Sequence, residues 1–262
     1  MKLGLLAGEQ VRSFSPLLFQ RVFGVPYELY TPPDLTNLRQ AIHERGWIGF
    51  NVTFPYKTAI YPLLELRDTE VEATQAVNAV SILPDGRWQG HNTDYKAAHY
   101  LLGEIESVYG AWEMAVILGT GGVGRAVAYA HAQLYPEVPI LFVSREPTAR
   151  LVGFSVPHRR ISYEACRDYP FPEKVLLVQA TPVGMFPAVK AMPPFPLGRV
   201  QPSWIVWEMI YNPHPTYFLQ AVWQRGARWE SGYPFFRKQA EYSLAIWNAL
   251  WVTHYKRRTP AS

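Results

Sequence analysis

The sequence predicts an α/β fold made of two α/β domains, the second Rossmann-like, with the C-terminal helix returning to the first. Three observations carry this. Strand-like and helix-like segments alternate from Leu3 to Val52. A second alternation opens near Met114, and a glycine-rich turn stands between its first strand and first helix. At 262 residues, with 48% hydrophobic and 18% charged, the chain can bury a sizeable core and does not read as disordered.

The elements follow in order. Leu3-Gly4-Leu5-Leu6 opens as an apolar strand. Arg12-Ser13-Phe14-Ser15-Pro16 is a loop in which Ser15 is placed as a helix N-cap and Pro16 at the first helical position. Leu17, Leu18, Arg21 and Val22 continue at helical spacing. Residues 26–31 read as a strand, 34–45 as a helix and 47–52 as a strand. In the second run, Ala115-Val116-Ile117-Leu118 has the pattern of a buried strand and residues 125–134 that of a helix. Strands are expected at 139–143, 175–178 and 204–207, and one long helix rich in Trp, Leu and Ile at 236–255. Proline is frequent between 170 and 215, which implies short, stiff connections. The expected boundaries are residues 1–93 with 232–262 for one domain and 94–231 for the other.

Several function classes are excluded. Lys and Arg total 25 against 21 Asp and Glu, a formal net charge of only +4. The dense basic cluster, Lys256-Arg257-Arg258, reads as a solvated tail, so no nucleic-acid partner is expected. The single cysteine, Cys166, rules out an internal disulfide framework and a multi-cysteine zinc site. The histidines are not spaced as a ligand set, so no metal is expected. No run approaches membrane-span length, and the apolar start is too short for a signal peptide. The sequon Asn51-Val52-Thr53 therefore carries no weight, and the expected location is cytoplasmic. The expected state is a monomer or homodimer with a small-molecule partner.

Gly119, Gly121 and Gly124 satisfy G-x-G-x-x-G between a strand and a helix. Gly119 permits the tight turn, Gly121 lets backbone approach a pyrophosphate, and Gly124 lets the helix pack on the strand. Gly122 and Val123 complete the turn at the helix N-terminus, where N–H donors and the positive dipole end favour phosphate. The next strand ends in Ser144-Arg145 with no acid, so Arg145 can pair with a 2′-phosphate and NADP is favoured. Glu146 would repel that phosphate if it pointed inward, which keeps NAD open.

Four polar clusters are left unexplained by packing: Ser13/Ser15, Asn51 to Lys57, Ala76-Val77-Asn78, and Gly90-His91-Asn92-Thr93-Asp94. Each lies at or just after a strand end, where α/β folds place ligands. Together with Gly119 to Gly124, Ala180-Thr181-Pro182-Val183-Gly184-Met185, Tyr211-Asn212-Pro213 and Gln239, they resemble the shikimate dehydrogenase family over nearly the whole chain. The resemblance implies a substrate domain followed by a cofactor domain. It also implies reversible NADPH-dependent reduction of 3-dehydroshikimate to shikimate, with Lys57 and Asp94 as the catalytic pair. The chemistry agrees: hydride arriving at a ketone carbon builds negative charge on oxygen, and a lysine can supply both cation and proton.

The resemblance assigns the substrate carboxylate to Ser13 and Ser15 with help from Tyr211, and the ring hydroxyls to Thr53, Asn78 and Gln239. Asn92 is expected to support Asp94 or reach a hydroxyl, and Asp94 can also serve as a helix N-cap. Thr181, Pro182, Val183 and Met185 are expected along the ribose and nicotinamide, with Gly232 and Phe235 close by. Departures from the family pattern are Arg12, Glu146, Ala149 (with Arg150 adjacent), Gln179 for Asn, Glu208 for Asp, and Ser231-Gly232-Tyr233-Pro234-Phe235-Phe236. Two alternatives stay open: a quinate or dual-substrate dehydrogenase using NAD, and a non-catalytic dinucleotide- or metabolite-binding relative.

Overall fold

The computed structural model describes residues 1–148, 151 and 153–255. They form two compact units: Met1–Thr93 together with Gln239 onward, and Asp94–Lys238. Each is an α/β unit with its own six-stranded sheet.

The first sheet takes its strands from β1 (Leu3–Leu6), β2 (Tyr27–Tyr30), β3 (Gly49–Val52), β4 (Leu66–Arg67), β5 (Ala79–Ile82) and β6 (Trp88–His91). Their spatial order is β2-β1-β3-β5-β6-β4. β1 runs parallel to both β2 and β3, whereas β5 is antiparallel to β3 and β6, so the sheet is mixed. One core packs Leu6, Phe50, Val52 and Val80 against Leu38 and Ile42 of α2 (Leu38–Arg45). The Trp247 ring occupies the space that a Cβ at Gly49 would need, and its Nε1 donates to the Val80 carbonyl at 3.0 Å. Trp247 lies in α7 (Gly232–Leu250), so the last helix is anchored on this sheet by a fully buried aromatic side chain.

The second sheet contains β7 (Met114–Leu118), β8 (Ile140–Val143), β9 (Arg159–Ile161), β10 (Val175–Gln179), β11 (Ile205–Glu208) and β12 (Arg228–Glu230). Every neighbouring pair is parallel, and the order is β12-β11-β10-β7-β8-β9. That is the doubly wound order of a dinucleotide-binding fold. The chain direction across the sheet reverses between β7 and β10, and ligands bind outside the strand ends at such a switch point. The central strands are buried on both faces, which is why they are near-continuous runs of Val, Ile and Leu.

The remaining helices are α1 (Ser15–Leu17), α3 (Thr69–Thr74), α4 (Thr93–Tyr109), α5 (Gly122–Leu134) and α6 (Tyr217–Trp223). Several expectations are corrected. Ser15 is not an N-cap: it is the first residue of α1, and the capping position falls on Phe14 without a side-chain bond. Asp94 sits in the first turn of α4, after Thr93, and not at its cap. α2 starts at Leu38, because Asp34 Oδ1 accepts the Thr36 N–H at 2.7 Å and closes a separate turn. α7 starts at Gly232, ahead of the expected 236, because Pro234 is tolerated in a first turn where N–H groups have no partner. It gives way to a π-turn at Trp251–Tyr255. Ala149, Arg150 and the Lys256-Arg257-Arg258 cluster lie outside the described residues. Among the described residues no helix is long and apolar enough to cross a membrane, and no group of three or more His, Cys, Asp or Glu is placed to hold a metal ion.

Candidate active site

In the first unit, the polar strand ends are tied together by Val77 and Asn78. The Val77 N–H donates to the Lys57 carbonyl at 2.8 Å, which fixes the turn that carries Lys57. Asn78 Oδ1 accepts the Thr93 N–H at 2.6 Å, and Asn78 Nδ2 donates to Thr93 Oγ1 at 2.8 Å. Asp94 is the next residue in the chain. One dipeptide therefore holds the backbone of Lys57 on one side and the entry to Asp94 on the other.

The surroundings of Asn78 are saturated with side-chain bonds. Its Nδ2 also reaches Gln239 Oε1 at 3.3 Å, so both amide hydrogens are used. Asn51 donates to the Asn78 carbonyl at 3.0 Å and to Ser243 Oγ at 2.9 Å, and accepts from the Tyr27 hydroxyl at 2.8 Å. Ser243 Oγ in turn contacts Thr93 Oγ1 at 3.0 Å. A buried amide left without partners costs about 1–3 kcal/mol, so this network holds its members in one arrangement. Both amide hydrogens of Asn92 are used in the same way: its Nδ2 donates to Thr74 Oγ1 at 2.9 Å and to the Ala76 carbonyl at 3.1 Å. It ties the end of β6 to α3.

The other substrate-side residues sit in fixed turns. Thr53 is half-buried; its N–H donates to the Leu6 carbonyl at 3.0 Å and its carbonyl accepts from the Tyr56 N–H at 2.8 Å. Ser13 Oγ donates to Ser15 Oγ at 3.0 Å and accepts the Ser15 N–H at 3.1 Å, so the two hydroxyls form one pair. In the second unit, Tyr211 stacks on Phe236 with ring centroids 4.1 Å apart.

The glycine turn follows β7. Gly119 has φ +98°, a conformation that L side chains rarely adopt, and a Cβ there would press on Thr181 Cγ2 at 2.9 Å. A Cβ on Gly124 would run into the Gly119 carbonyl oxygen. Gly121 differs from both. It caps α5 in an extended conformation, and a Cβ on it would meet nothing within 4 Å. Its glycine leaves room beside the helix N-terminus, where Gly122 and Val123 open the first turn. Arg125 was not singled out by the sequence reading. Its Nε donates to the Thr120 carbonyl at 3.1 Å, which places a partly buried guanidinium on this turn. Its position directly after the third glycine was the available signal.

Beyond β8, Ser144 is buried and its Oγ has no hydrogen-bond partner among the described residues. Arg145 and Glu146 follow, both exposed. An orphaned buried hydroxyl, an open glycine and a basic side chain at the ends of adjacent strands fit a dinucleotide's ribose and phosphates.

The loop after β10 is organised by Gln179, which the sequence reading noted only as a departure. Gln179 Oε1 accepts from the N–H and the hydroxyl of Thr181, each at 2.8 Å. Its Nε2 donates to the Val183 carbonyl at 3.1 Å. Thr181, Pro182, Val183 and Met185 are thereby held in one compact turn. Glu208, at the end of β11, is fully buried and accepts from Thr216 Oγ1 at 2.7 Å and from the Ile210 N–H at 3.2 Å. Burial pushes its carboxyl up to about 7, against the opposing pull of those two bonds. Gly232 is required by contact, since a Cβ would lie 2.5 Å from the Met209 carbonyl oxygen. Phe235 is buried edge-on against Trp207, with centroids 5.9 Å apart, and so serves the core of its unit.

The chain and its fold resemble those of known proteins. Residues 6–80 match the family described as "Shikimate dehydrogenase substrate binding domain". The shikimate dehydrogenase (NADP(+)) of Pelodictyon phaeoclathratiforme is 32% identical over 265 residues, covering 95% of this chain and 92% of that protein. The crystal structure of shikimate dehydrogenase 1 from Peptoclostridium difficile superposes with a TM-score of 0.79 at 27% identity, over 95% of this chain and 92% of the other. Quinate dehydrogenase from Corynebacterium glutamicum, solved in complex with NAD, gives a TM-score of 0.76 at 25% identity, over 95% and 94% of the two chains.

Proposed function

Because the chain belongs to the shikimate dehydrogenase family, we propose that it catalyses the reversible reduction of 3-dehydroshikimate to shikimate with NADPH, using Lys57 and Asp94. The observation that carries the proposal is the Val77–Asn78 tie, which holds the Lys57 turn and the residue preceding Asp94 through two backbone-directed bonds. Reactive groups held by such supports are pre-organised for a single geometry.

When bound, the nicotinamide supplies or accepts the hydride. The protein's part is to bind, orient and move a proton. Lys57 Nζ protonates the oxygen as the ketone becomes an alcohol, and in the reverse direction takes that proton back. Asp94 holds the ammonium and accepts a hydrogen bond from the hydroxyl. The Ser13/Ser15 hydroxyl pair and Tyr211 receive the substrate carboxylate, while Thr53, Gln239 and the second lone pair of Asn78 Oδ1 receive the ring hydroxyls. The turn from Gly119 to Gly124 offers N–H groups to the pyrophosphate, with Arg125 adding positive charge. Ser144 and Arg145 take the 2′-phosphate of NADP. The turn Thr181 to Met185 lies along the nicotinamide.

A second reading rests on Glu146, which is exposed beside Arg145 and would repel a 2′-phosphate. It makes the enzyme NAD-dependent, and with NAD the quinate or dual quinate/shikimate alternative stays open. Absorbance at the reduced-nicotinamide band, with shikimate and quinate each paired with NADP and NAD, separates the two. Reduction mainly with shikimate and NADP is expected. A preference for NAD would make Glu146 the cofactor selector, a preference for quinate would change the substrate assigned, and silence in all four pairs would leave only a binding function.

A further inference from the structure

The first unit contains a second constellation that the dehydrogenase chemistry does not use. His91 Nδ1 lies 2.7 Å from Asp68 Oδ2, and His91 Nε2 lies 2.9 Å from Ser81 Oγ. An ionised carboxylate can only accept, so Asp68 fixes the proton on Nδ1 and leaves Nε2 to accept from the serine hydroxyl. Asp68 is itself oriented by Gln89 Nε2 at 3.0 Å. Ser81 and His91 are both buried. They lie on neighbouring antiparallel strands, Ser81 opposite Gln89 and His91 opposite Ala79.

The last helix leaves a space above this relay. Trp247 donates to the carbonyl of Val80 and the Tyr255 hydroxyl to that of Ile82, at 3.0 Å each, so the helix and its π-turn are pinned on both sides of Ser81. Between the anchors is a cavity of about 250 Å³ to which Ser81, His91 and Gln89 contribute. Ile246 and Leu250 line it with apolar surface, and Thr253 contributes a hydroxyl. A sheet face covered by a helix is ordinarily filled with apolar side chains; here it carries Ser, Gln and His beside open space.

We propose that Ser81 is a nucleophile activated by His91 and Asp68, and that the cavity accepts a small ester or a comparable acyl or sulfonyl electrophile. The serine–imidazole–carboxylate arrangement is recognised by geometry and role, not by fold. Ser81 Oγ forms a bond to the electrophilic carbon as its proton passes to His91 Nε2. The bond to the leaving alkoxide then breaks, and the alcohol departs with that proton. Water, deprotonated by the same imidazole, releases the acid and restores the serine. The Thr253 hydroxyl, the second amide hydrogen of Gln89 and the His254 ring are the side-chain donors that line the cavity and can serve the oxyanion. Ser81 sits within a sheet strand, so formation of the covalent adduct is the sensitive readout.

The test uses phenylmethylsulfonyl fluoride on the full chain, read by intact mass and peptide mapping. The Ser81 oxygen displaces fluoride, and its proton leaves through His91. One adduct per chain on Ser81 is expected, with none in Ser81→Ala. Asp68→Asn, which keeps the shape but disturbs the imidazole tautomer, is expected to slow labelling at least about 100-fold, as such substitutions do in serine–histidine–aspartate sites. Absence of an adduct on Ser81 in the wild-type protein overturns the proposal without recourse to any variant. Labelling of folded Asp68→Asn at the wild-type rate overturns it equally.

Discussion

Around Asn78, polar side chains are buried and bonded to one another; around Gly121, side chains are missing and the backbone meets open space. Both regions lie at the working ends of sheet strands. The first region is built to distinguish one small polar molecule, because amides and hydroxyls held in place offer donors and acceptors at set positions. The second is built to admit a phosphate, because bare N–H groups at a helix start need close approach more than they need side chains. On the proposed function, the contrast assigns recognition of the acid's ring mainly to side chains of the first unit, and reception of the pyrophosphate to the backbone of the second.

The most severe way to break the substrate side is to remove its chemistry. Lys57→Ala and Asp94→Asn are each expected to lower kcat by about 10²–10⁴-fold, the usual span for a positioned acid or base. NADPH affinity, followed by fluorescence titration, should stay close to wild type. A comparable loss of cofactor affinity would erase the division between the two regions.

Buried titratable groups of the second unit should govern stability and leave ligand recognition alone. Glu208, raised from 4.5 to about 7 by burial, holds its proton in the native state at pH values where an ordinary carboxyl has lost it. Its stabilising contribution is full below about 4.5 and is lost as pH rises through about 7. His131, lowered from 6.5 to about 4 by burial, behaves oppositely: its contribution is full above 6.5 and is lost as pH falls through about 4. The two slopes oppose each other over the shared window, each spanning roughly 3 kcal/mol in full. Glu208→Gln should therefore make Tm fall more steeply than wild type on acidification from pH 6.5 to 4.5. Parallel curves for the two proteins would show that Glu208 is not held protonated.

A smaller effect sharpens the comparison. Asn78→Ala removes the bonds to Thr93 and Gln239 and should cost about 1–3 kcal/mol in urea unfolding. It should also raise the KM for shikimate while leaving that for NADPH unchanged. An equal rise in both would place Asn78 in a general structural role.

The two regions also differed in how far sequence could reveal them. The glycine turn was legible because each glycine answers a local steric demand: Gly119 by its φ, Gly124 by its contact and Gly121 by the room it leaves. The buried strands β1, β3, β7, β8, β10 and β11 were legible as short apolar runs. β9 (Arg-Arg-Ile) and β12 (Arg-Trp-Glu) were not, since these sheet-edge strands form through pairing and carry no apolar run. β4, with two residues, offers no period at all. On the substrate side, residue types pointed to loops at the strand ends, but the partners of those residues did not follow from them. That Asn92 would spend both amide hydrogens on Thr74 and Ala76 depends on where α3 lies, which no local pattern encodes. The Ser15 cap failed for a related reason, because Ser13 engages both the hydroxyl and the N–H of Ser15.

The division of labour is tested most directly at Gly121. Its φ of −73° suits any residue, and an added Cβ meets nothing within 4 Å, so Gly121→Ala should leave Tm unchanged. If backbone at this turn receives the pyrophosphate, that methyl group occupies the ligand's space. NADPH affinity should then fall at least about tenfold, or ~1.4 kcal/mol. Affinity equal to wild type in a protein of unchanged Tm would contradict the account, because this open position in the turn would then not be where the dinucleotide lies.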